Sequence, residues 1–534
     1  MLGVMTENRR ILLNVFVSYG RSLLGLALGL FTSRWVLMAL GAEDLGLYGL
    51  VAGIVTFIGF FNGLLSGACE RFYAYSIGMA KREGFESEGL EECRRWFSTA
   101  VFVHTVVPVA VMIVGYPIGE WAIRHWLVIP VTRIEDCVWI FRFVCFASMT
   151  GMMIAPLSAM YTAKQKIAEI TAYSIFGTVC NFVFVYYMVS HPGRVWLLPY
   201  AGFTCALGLV TNLAIAMRAL FSFPECRFNY KSISCISRIK QLVGFSCWTF
   251  LGAFGYMIDI QGRTFLINKG FGPVMNASGG IAGSVSGHCA TLSGAVSKAF
   301  QPAIISREGA GDRRRMLSLS YRGAKISMLL CMMFVLPLMA EKRAVLELWL
   351  KAPPPLVAEA CFWTLLIVLV GQMAFGLDAT LAAVNKIKYV NIASFASHVL
   401  AVAVGWIGVV WFNMDFMFVF KVELARIFCY NLVACFISTH YTGYSYRRWL
   451  SDMLFKPAVV FALCIAVGLI AKSAFASLGV ARLPFVFAAV ETAFFSLALG
   501  FVMTREERSF ICARAKRILP WYRTSRFVDP GGID

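Results

Sequence analysis

The sequence is poor in charge. Only 14% of its 534 residues are Asp, Glu, Lys or Arg, against about 25% in soluble domains. With 59% hydrophobic residues, there is more apolar surface than a soluble core can hide. That excludes a water-soluble globular protein and makes lipid the solvent for much of the chain. Acids are scarcer than bases: 29 Asp and Glu face 48 Lys and Arg, a formal net charge of +19. No Lys/Arg stripe with interleaved aromatics stands apart from the apolar runs, so nucleic acid is set aside as a partner. The surplus instead fits basic loops facing anionic membrane lipids. The 16 cysteines include no Cys-x-x-Cys pair, and most lie inside apolar runs, as Cys145, Cys180 and Cys331 do. They read as small membrane-helix residues rather than disulfide partners or metal ligands. The six histidines form no spaced metal cluster and read as isolated packing or interfacial residues, with His288, set among glycines, kept as a cavity candidate. No Gly-rich loop followed by Lys-Ser or Lys-Thr is found, which argues against direct ATP use. The expectation is therefore no metal and no cofactor. Coupling to H+ or Na+, or the substrate's own chemical potential, would supply the drive.

What is present is a long series of apolar runs. A span needs about 20 mostly apolar residues, and about 14 such runs can be drawn. Their cores are 11–39, 46–76, 98–123, 137–162, 169–190, 195–220, 242–267, 277–304, 322–340, 357–384, 389–411, 416–441, 455–475 and 483–503. The first is too long for a signal-peptide h-region and reads as an uncleaved membrane helix. The expected fold class is an all-α polytopic membrane protein. Placing the N-terminus in the cytoplasm puts about 31 Lys and Arg in inner segments and about 9 in outer loops, so both termini are expected inside. The outer loops are too short to hold a catalytic domain.

An internal repeat appears at an offset of roughly 225–229 residues. Arg34 followed by Gly41 matches Arg263 followed by Gly270, and a glycine-rich helix follows in each half. Arg82-Glu83-Gly84 matches Arg307-Glu308-Gly309. With six spans per half, the two repeats are parallel, related by an axis along the membrane normal. The expected organisation is a bundle of six helices in 1–221, a second in 222–441, two added helices in 442–503 and a basic tail in 504–534.

Charges inside spans cost roughly 2.5–3.5 kcal/mol each on insertion scales, so they face a wet cavity or a partner. Arg21 lies about 15 Å along the first helix, near the midplane and too deep to snorkel. Arg34 can line a cavity or snorkel outward, and Arg71 and Lys298 can snorkel inward. Asp259 and Arg263, four apart, share a helix face, as do Glu423 and Arg426 three apart. Arg263 can therefore be a structural ion-pair partner or a cavity residue. Pairing those acids leaves a positive surplus, which suits an anionic ligand with phosphate oxygens. A cation exporter would want unpaired carboxylates, and Asp378 is the best lone acid.

The segment from Arg34 through Gly41, Gly46 and Gly49 resembles the junction of the first two helices in polysaccharide flippases of the multidrug/oligosaccharidyl-lipid/polysaccharide (MOP, MATE-like) superfamily. Gln301-Pro302 through Asp312, Leu346 to Lys351, Tyr161 to Lys166 and Val384 to Lys388 are similar to its later loops, in the same order. The resemblance implies two six-helix bundles around a central cavity, with two extra helices. It implies a flippase of the O-antigen (Wzx) type that moves undecaprenyl-diphosphate-linked oligosaccharide across the bacterial inner membrane, alongside polysaccharide assembly proteins. By helix position it implies that Arg21, Arg34, Arg71 and Lys298 bind substrate; the reading of the intramembrane charges adds Arg263 to that set and leaves Asp259, Asp378 and Glu423 for ion coupling or pairing. A MATE-type cation/drug antiporter and a membrane-embedded polysaccharide polymerase are the alternatives.

Overall fold

The computed structural model describes residues 7–79, 86–164, 166–228, 236–244, 247–505, 507 and 508; the side chains of Arg21, Arg71 and Lys298 fall outside that description. Among the described residues the chain is almost wholly helical, with no strand.

Two broken helices set the architecture. Helix α1 (Glu7–Met79) has 73 residues and α7 (Cys247–Gly309) has 63. At 1.5 Å per residue each is more than twice the roughly 30 Å of a bilayer's hydrocarbon core. Each leaves helical geometry at one glycine: Gly41 (φ 77°, ψ 172°) in α1 and Gly272 (φ 82°, ψ −179°) in α7. That corner of backbone space is open essentially to glycine alone. The first two expected spans thus share α1, and the seventh and eighth share α7. The break in α7 falls directly before Pro273, where the residue ahead of a proline is steered away from helical geometry, but proline alone does not make a break. Helices α2 (Glu86–Trp121), α3 (Ile134–Ala163) and α8 (Arg313–Ala340) carry Pro108, Pro156 and Pro337 inside continuous helix.

The kinks also correct the repeat. The residue equivalent to Gly41 is Gly272, 231 positions on, and not Gly270. Gly270 serves packing: an added Cβ would lie 2.6 Å from Val409 Cγ1, in the turn after α12 (Ile387–Trp406). The Arg82-Glu83-Gly84 copy lies outside the described residues.

Helices α1 to α3, α4 (Ile167–Ser190) and α5 (Leu197–Ser222) pack on one another. So do α7, α8, α10 (Val357–Gly371), α11 (Phe375–Ala383), α12 and α13 (Phe416–Thr442). Leu47, Leu50 and Val51 bury against Ile140 and Phe141 in the first group. Met332, Val335 and Leu336 bury against Leu365 and Leu369 in the second. Contact between α1 and α7 joins the groups.

Helices α15 (Lys456–Ala474) and α16 (Leu483–Leu497) pack on each other and on α8. Val460, Cys464, Val486 and Val490 join the second core. Ion pairs fasten them to α8 at its C-terminal end and near its middle. Fully buried Glu341 takes Arg482 Nε at 2.7 Å, and Lys325 Nζ reaches Glu507 at 3.1 Å. Burial acts to raise the Glu507 carboxyl, but hydrogen bonds from the Thr504 N–H and Lys325 outweigh it and hold it below its ordinary value.

Among the described residues, 10 helices are long and apolar enough to cross a membrane, against about 14 runs drawn from the sequence. The runs at 242–267, 277–304 and 416–441 have no counterpart in that set, and the first two runs fall on the single stretch Ala27–Thr56. Glycine and serine dilute α7, and Lys421, Glu423 and Arg426 dilute α13.

Gly272→Ala and Gly41→Ala should each cost about 1–3 kcal/mol, because alanine cannot hold that backbone geometry without strain. Gly25→Ala, in regular helix with nothing within 4 Å of the added methyl, should be neutral or mildly stabilising. Thermal unfolding of the detergent-purified variants separates the two outcomes.

Candidate functional site: a cavity between the halves

A cavity of about 950 Å³ lies between the two helix groups. From α1 it is lined by Gly29, Thr32, Ser33, Val36, Leu45, Gly46 and Gly49. Moving each by the 231 positions that separate the kinks gives Ile260, Arg263, Thr264, Ile267, Asn276, Ala277 and Gly280, and all of these line it too. The cavity sits on a local two-fold relation in backbone position. The chemistry is not two-fold. Arg263 stands where the first half has Thr32, and Arg34 is equivalent to Phe265. The charged lining residues among those described are Arg263, Glu423 and Arg426, all from the second half. The first half presents glycines, hydroxyls, aliphatics and Tyr200.

The charged wall is a connected cluster. Asp259, 1% exposed, takes Arg263 Nε at 3.3 Å on one carboxylate oxygen and His398 Nδ1 at 3.1 Å on the other. His398 is thus not an isolated packing histidine. With the carboxylate accepting, its Nδ1 carries the proton. Glu423 and Arg426 form a two-pronged pair, Nε to Oε2 at 2.8 Å and Nη2 to Oε1 at 2.6 Å. Arg426 Nη1 also donates to Ser397 Oγ at 3.3 Å. Each of its three nitrogens thus donates within the protein.

Arg263 differs. Its contact with Asp259 is an ion pair that misses hydrogen-bond alignment, so its Nε has no hydrogen-bond partner among the described residues. No described residue accepts from its terminal nitrogens. A guanidinium carries five N–H donors, and these stand at the wall of a chamber.

The remaining candidates are placed as follows. Arg34 follows the lining residue Ser33 but is not itself in the lining, and its buried Nε has no partner among the described residues. Asp378 accepts from the Tyr430 hydroxyl at 3.0 Å and is also outside the lining. His288 does not line the cavity, although Gly287 does. Arg21, Arg71 and Lys298 are outside the described side chains. Among the described charges the cluster balances, with two arginines against two carboxylates. The positive surplus read from the sequence rests on the three undescribed basic residues and Arg34.

Further contacts join the halves, beginning just beyond the kinks. An added Cβ on Gly46 would lie 1.9 Å from the Pro273 carbonyl oxygen, so glycine is what lets α1 and α7 touch there. Asn276 Nδ2 donates to the Gly46 carbonyl at 3.3 Å. The Asn268 side chain accepts from the Val128 N–H at 3.0 Å and donates to its carbonyl at 3.1 Å. Trp349 Nε1 donates to the Leu30 carbonyl at 2.7 Å, and Trp126 stacks on Trp406.

Solved structures share this fold. The lipid II flippase MurJ in its inward closed conformation aligns with a TM-score of 0.63 at 11% identity, over 91% of this chain and 98% of that one. An inward-facing multidrug resistance MATE family transporter aligns at 0.62 and 13%, over 78% and 94%. A MOP superfamily transporter from Pyrococcus furiosus aligns at 0.57 and 13%, over 81% and 95%. The chain shares the fold of these three structures. No protein-family model matches the sequence, and no curated protein matches it. At these identities the likeness is one of fold.

Sequence reasoning flagged the Asp259–Arg263 and Glu423–Arg426 pairs through their helical spacing. It missed His398, which lies 139 positions from Asp259. It also missed Thr32, Ser33, Asn276 and Gln372, lining residues of unremarkable type.

Asp259→Ala should destabilise the protein by about 3–5 kcal/mol, because it leaves buried positive charge uncompensated. Removing both partners, in Asp259→Leu with Arg263→Met, should recover much of that loss. Thermal unfolding in detergent measures both.

Proposed function

We propose that this protein is an alternating-access flippase. It carries a lipid-linked oligosaccharide on an undecaprenyl-diphosphate anchor from the inner to the outer leaflet of the bacterial cytoplasmic membrane, for assembly of an O-antigen-like surface polysaccharide. The observation that carries the reading is Arg263: a guanidinium at the wall of the 950 Å³ cavity whose terminal N–H groups no described residue engages. Guanidinium donors match phosphate oxygens in pairs and stay charged at any working pH. Asp259 holds Arg263 in place without using its fork. The carboxylates a cation exporter would need are engaged instead, Asp259 by Arg263 and His398, Glu423 by Arg426.

Sequence position adds to the set. Arg21, about three helical turns before the lining residue Thr32, joins the proposed substrate-binding set, with Arg34, Arg71 and Lys298 as its other basic members. Of the three carboxylates proposed for H+ or Na+ coupling or for pairing, Asp259 and Glu423 are paired, which leaves Asp378 for coupling. With both termini cytoplasmic, the end of the cavity beside the kinks is the outer one, and substrate enters from the inner leaflet between the halves while its lipid tail stays in the membrane.

Complementation of a flippase-deficient bacterial strain tests the reading. Wild type should restore surface polysaccharide. Arg263→Lys keeps the charge but loses the paired donors and should cut the polysaccharide at least about tenfold, the equivalent of one lost charge-assisted contact. Arg21→Ala should do the same at equal protein level. Export of cationic dyes with no polysaccharide restored would instead identify a drug/cation antiporter.

A further inference from the structure

A second chamber, of about 660 Å³, lies between α4 and α5 in the first half, and nothing in the account above uses it. Tyr200 lines both this chamber and the central cavity, so the two adjoin. Its described lining contains no Asp, Glu, Lys, Arg or His. It is nonetheless polar for a space inside a membrane bundle, with hydroxyls of Thr171, Tyr173, Ser174, Thr178, Tyr200, Thr204 and Thr211 and the amide of Asn181 at its wall.

Three of these hydroxyls have committed their protons. Thr178 donates to the Ser174 carbonyl at 2.9 Å, Thr204 to the Ala201 carbonyl at 3.0 Å and Thr211 to the Leu207 carbonyl at 2.8 Å. What they offer the chamber is lone pairs. The Asn181 side-chain oxygen is buried and has no hydrogen-bond partner among the described residues. A buried acceptor left without a donor is costly, so the site calls for a ligand rich in O–H groups. Gly177 and Gly208 keep the walls low between the hydroxyls. Along α5 the lining runs from Tyr200 to Ile215, about 22 Å at 1.5 Å per residue, which suits a chain rather than a compact solute.

We propose that this chamber is the glycan subsite: an uncharged, acceptor-rich groove that takes the carbohydrate while the diphosphate sits at Arg263 across the central cavity. The division follows the two walls already described, one charged and one not. The inference rests on the flippase reading and adds to it where the sugar goes. The ligand class is a neutral carbohydrate carried on the same lipid as the diphosphate.

The test uses the full chain in lipid nanodiscs and two probes, a polyprenyl diphosphate and the same lipid bearing one neutral N-acetylhexosamine, titrated by calorimetry. Wild type should bind the sugar-bearing lipid about tenfold more tightly, a gain set by one or two neutral hydrogen bonds. Asn181→Leu, and separately Thr178→Val with Thr211→Val, should erase that preference while keeping the affinity for the bare diphosphate, which also shows that the variants are folded. Arg263→Lys should weaken both lipids alike. If wild type shows no preference, or the chamber variants keep it, the glycan subsite is wrong and the flippase reading stands. If wild type binds neither lipid, both fall together.

Discussion

The site depends on one constraint: α1 and α7 must touch backbone to backbone just past their glycine breaks. A side chain at Gly46 would run into the Pro273 carbonyl, and a side chain at Gly41 or Gly272 would forbid the turn that brings the helices there. Because both breaks have the same geometry, the helices leave the contact in matching directions, and the space between them becomes the cavity. The seven lining positions on α1 and their seven equivalents on α7 follow from that single placement. Asn268, Asn276, Trp349 and the Trp126–Trp406 stack then add contacts between the two halves.

Within this near-symmetric frame the charge is one-sided. A buried carboxylate and guanidinium are expensive to desolvate, and their mutual attraction returns that cost only with good geometry and further hydrogen bonds. Asp259 meets the requirement with two partners, His398 and Arg263. Arg263 does not, since its terminal donors lack protein acceptors among the described residues. That shortfall is the physical reason to place an anionic ligand beside it. Glu423 and Arg426, by contrast, satisfy each other and Ser397, so they stiffen the wall and add little net charge. The uncharged first-half wall faces this cluster and continues past Tyr200 into the chamber between α4 and α5.

The all-helical membrane fold was legible from composition and apolar runs, because lipid leaves a chain few other ways to satisfy its backbone. The parallel repeat was legible too, but its register was not. Gly270 and Gly272 are two residues apart, and only backbone geometry tells the kink from the packing glycine. The two-residue difference moved Arg34 away from Arg263 and put Thr32 in its place. Spacing of four and three along a helix revealed both ion pairs. His398 stayed hidden because its link to Asp259 joins α7 to α12, and no local pattern encodes a contact between distant helices. The hydroxyl-lined chamber was hidden for a related reason. Thr178, Thr204 and Thr211 are common in membrane helices, and only the packing of α4 on α5 gathers them around one space.

The central claim is that the Arg263 donors face water and a phosphate-bearing guest. The most direct measurement is a cryo-electron microscopy map of the nanodisc-embedded protein with a polyprenyl diphosphate bound. The account predicts diphosphate density within hydrogen-bond distance of Arg263 in the cavity between the halves, with Asp259 still paired behind it. Headgroup density elsewhere, or Arg263 turned from the cavity into a dry contact while the lipid is bound, would contradict it.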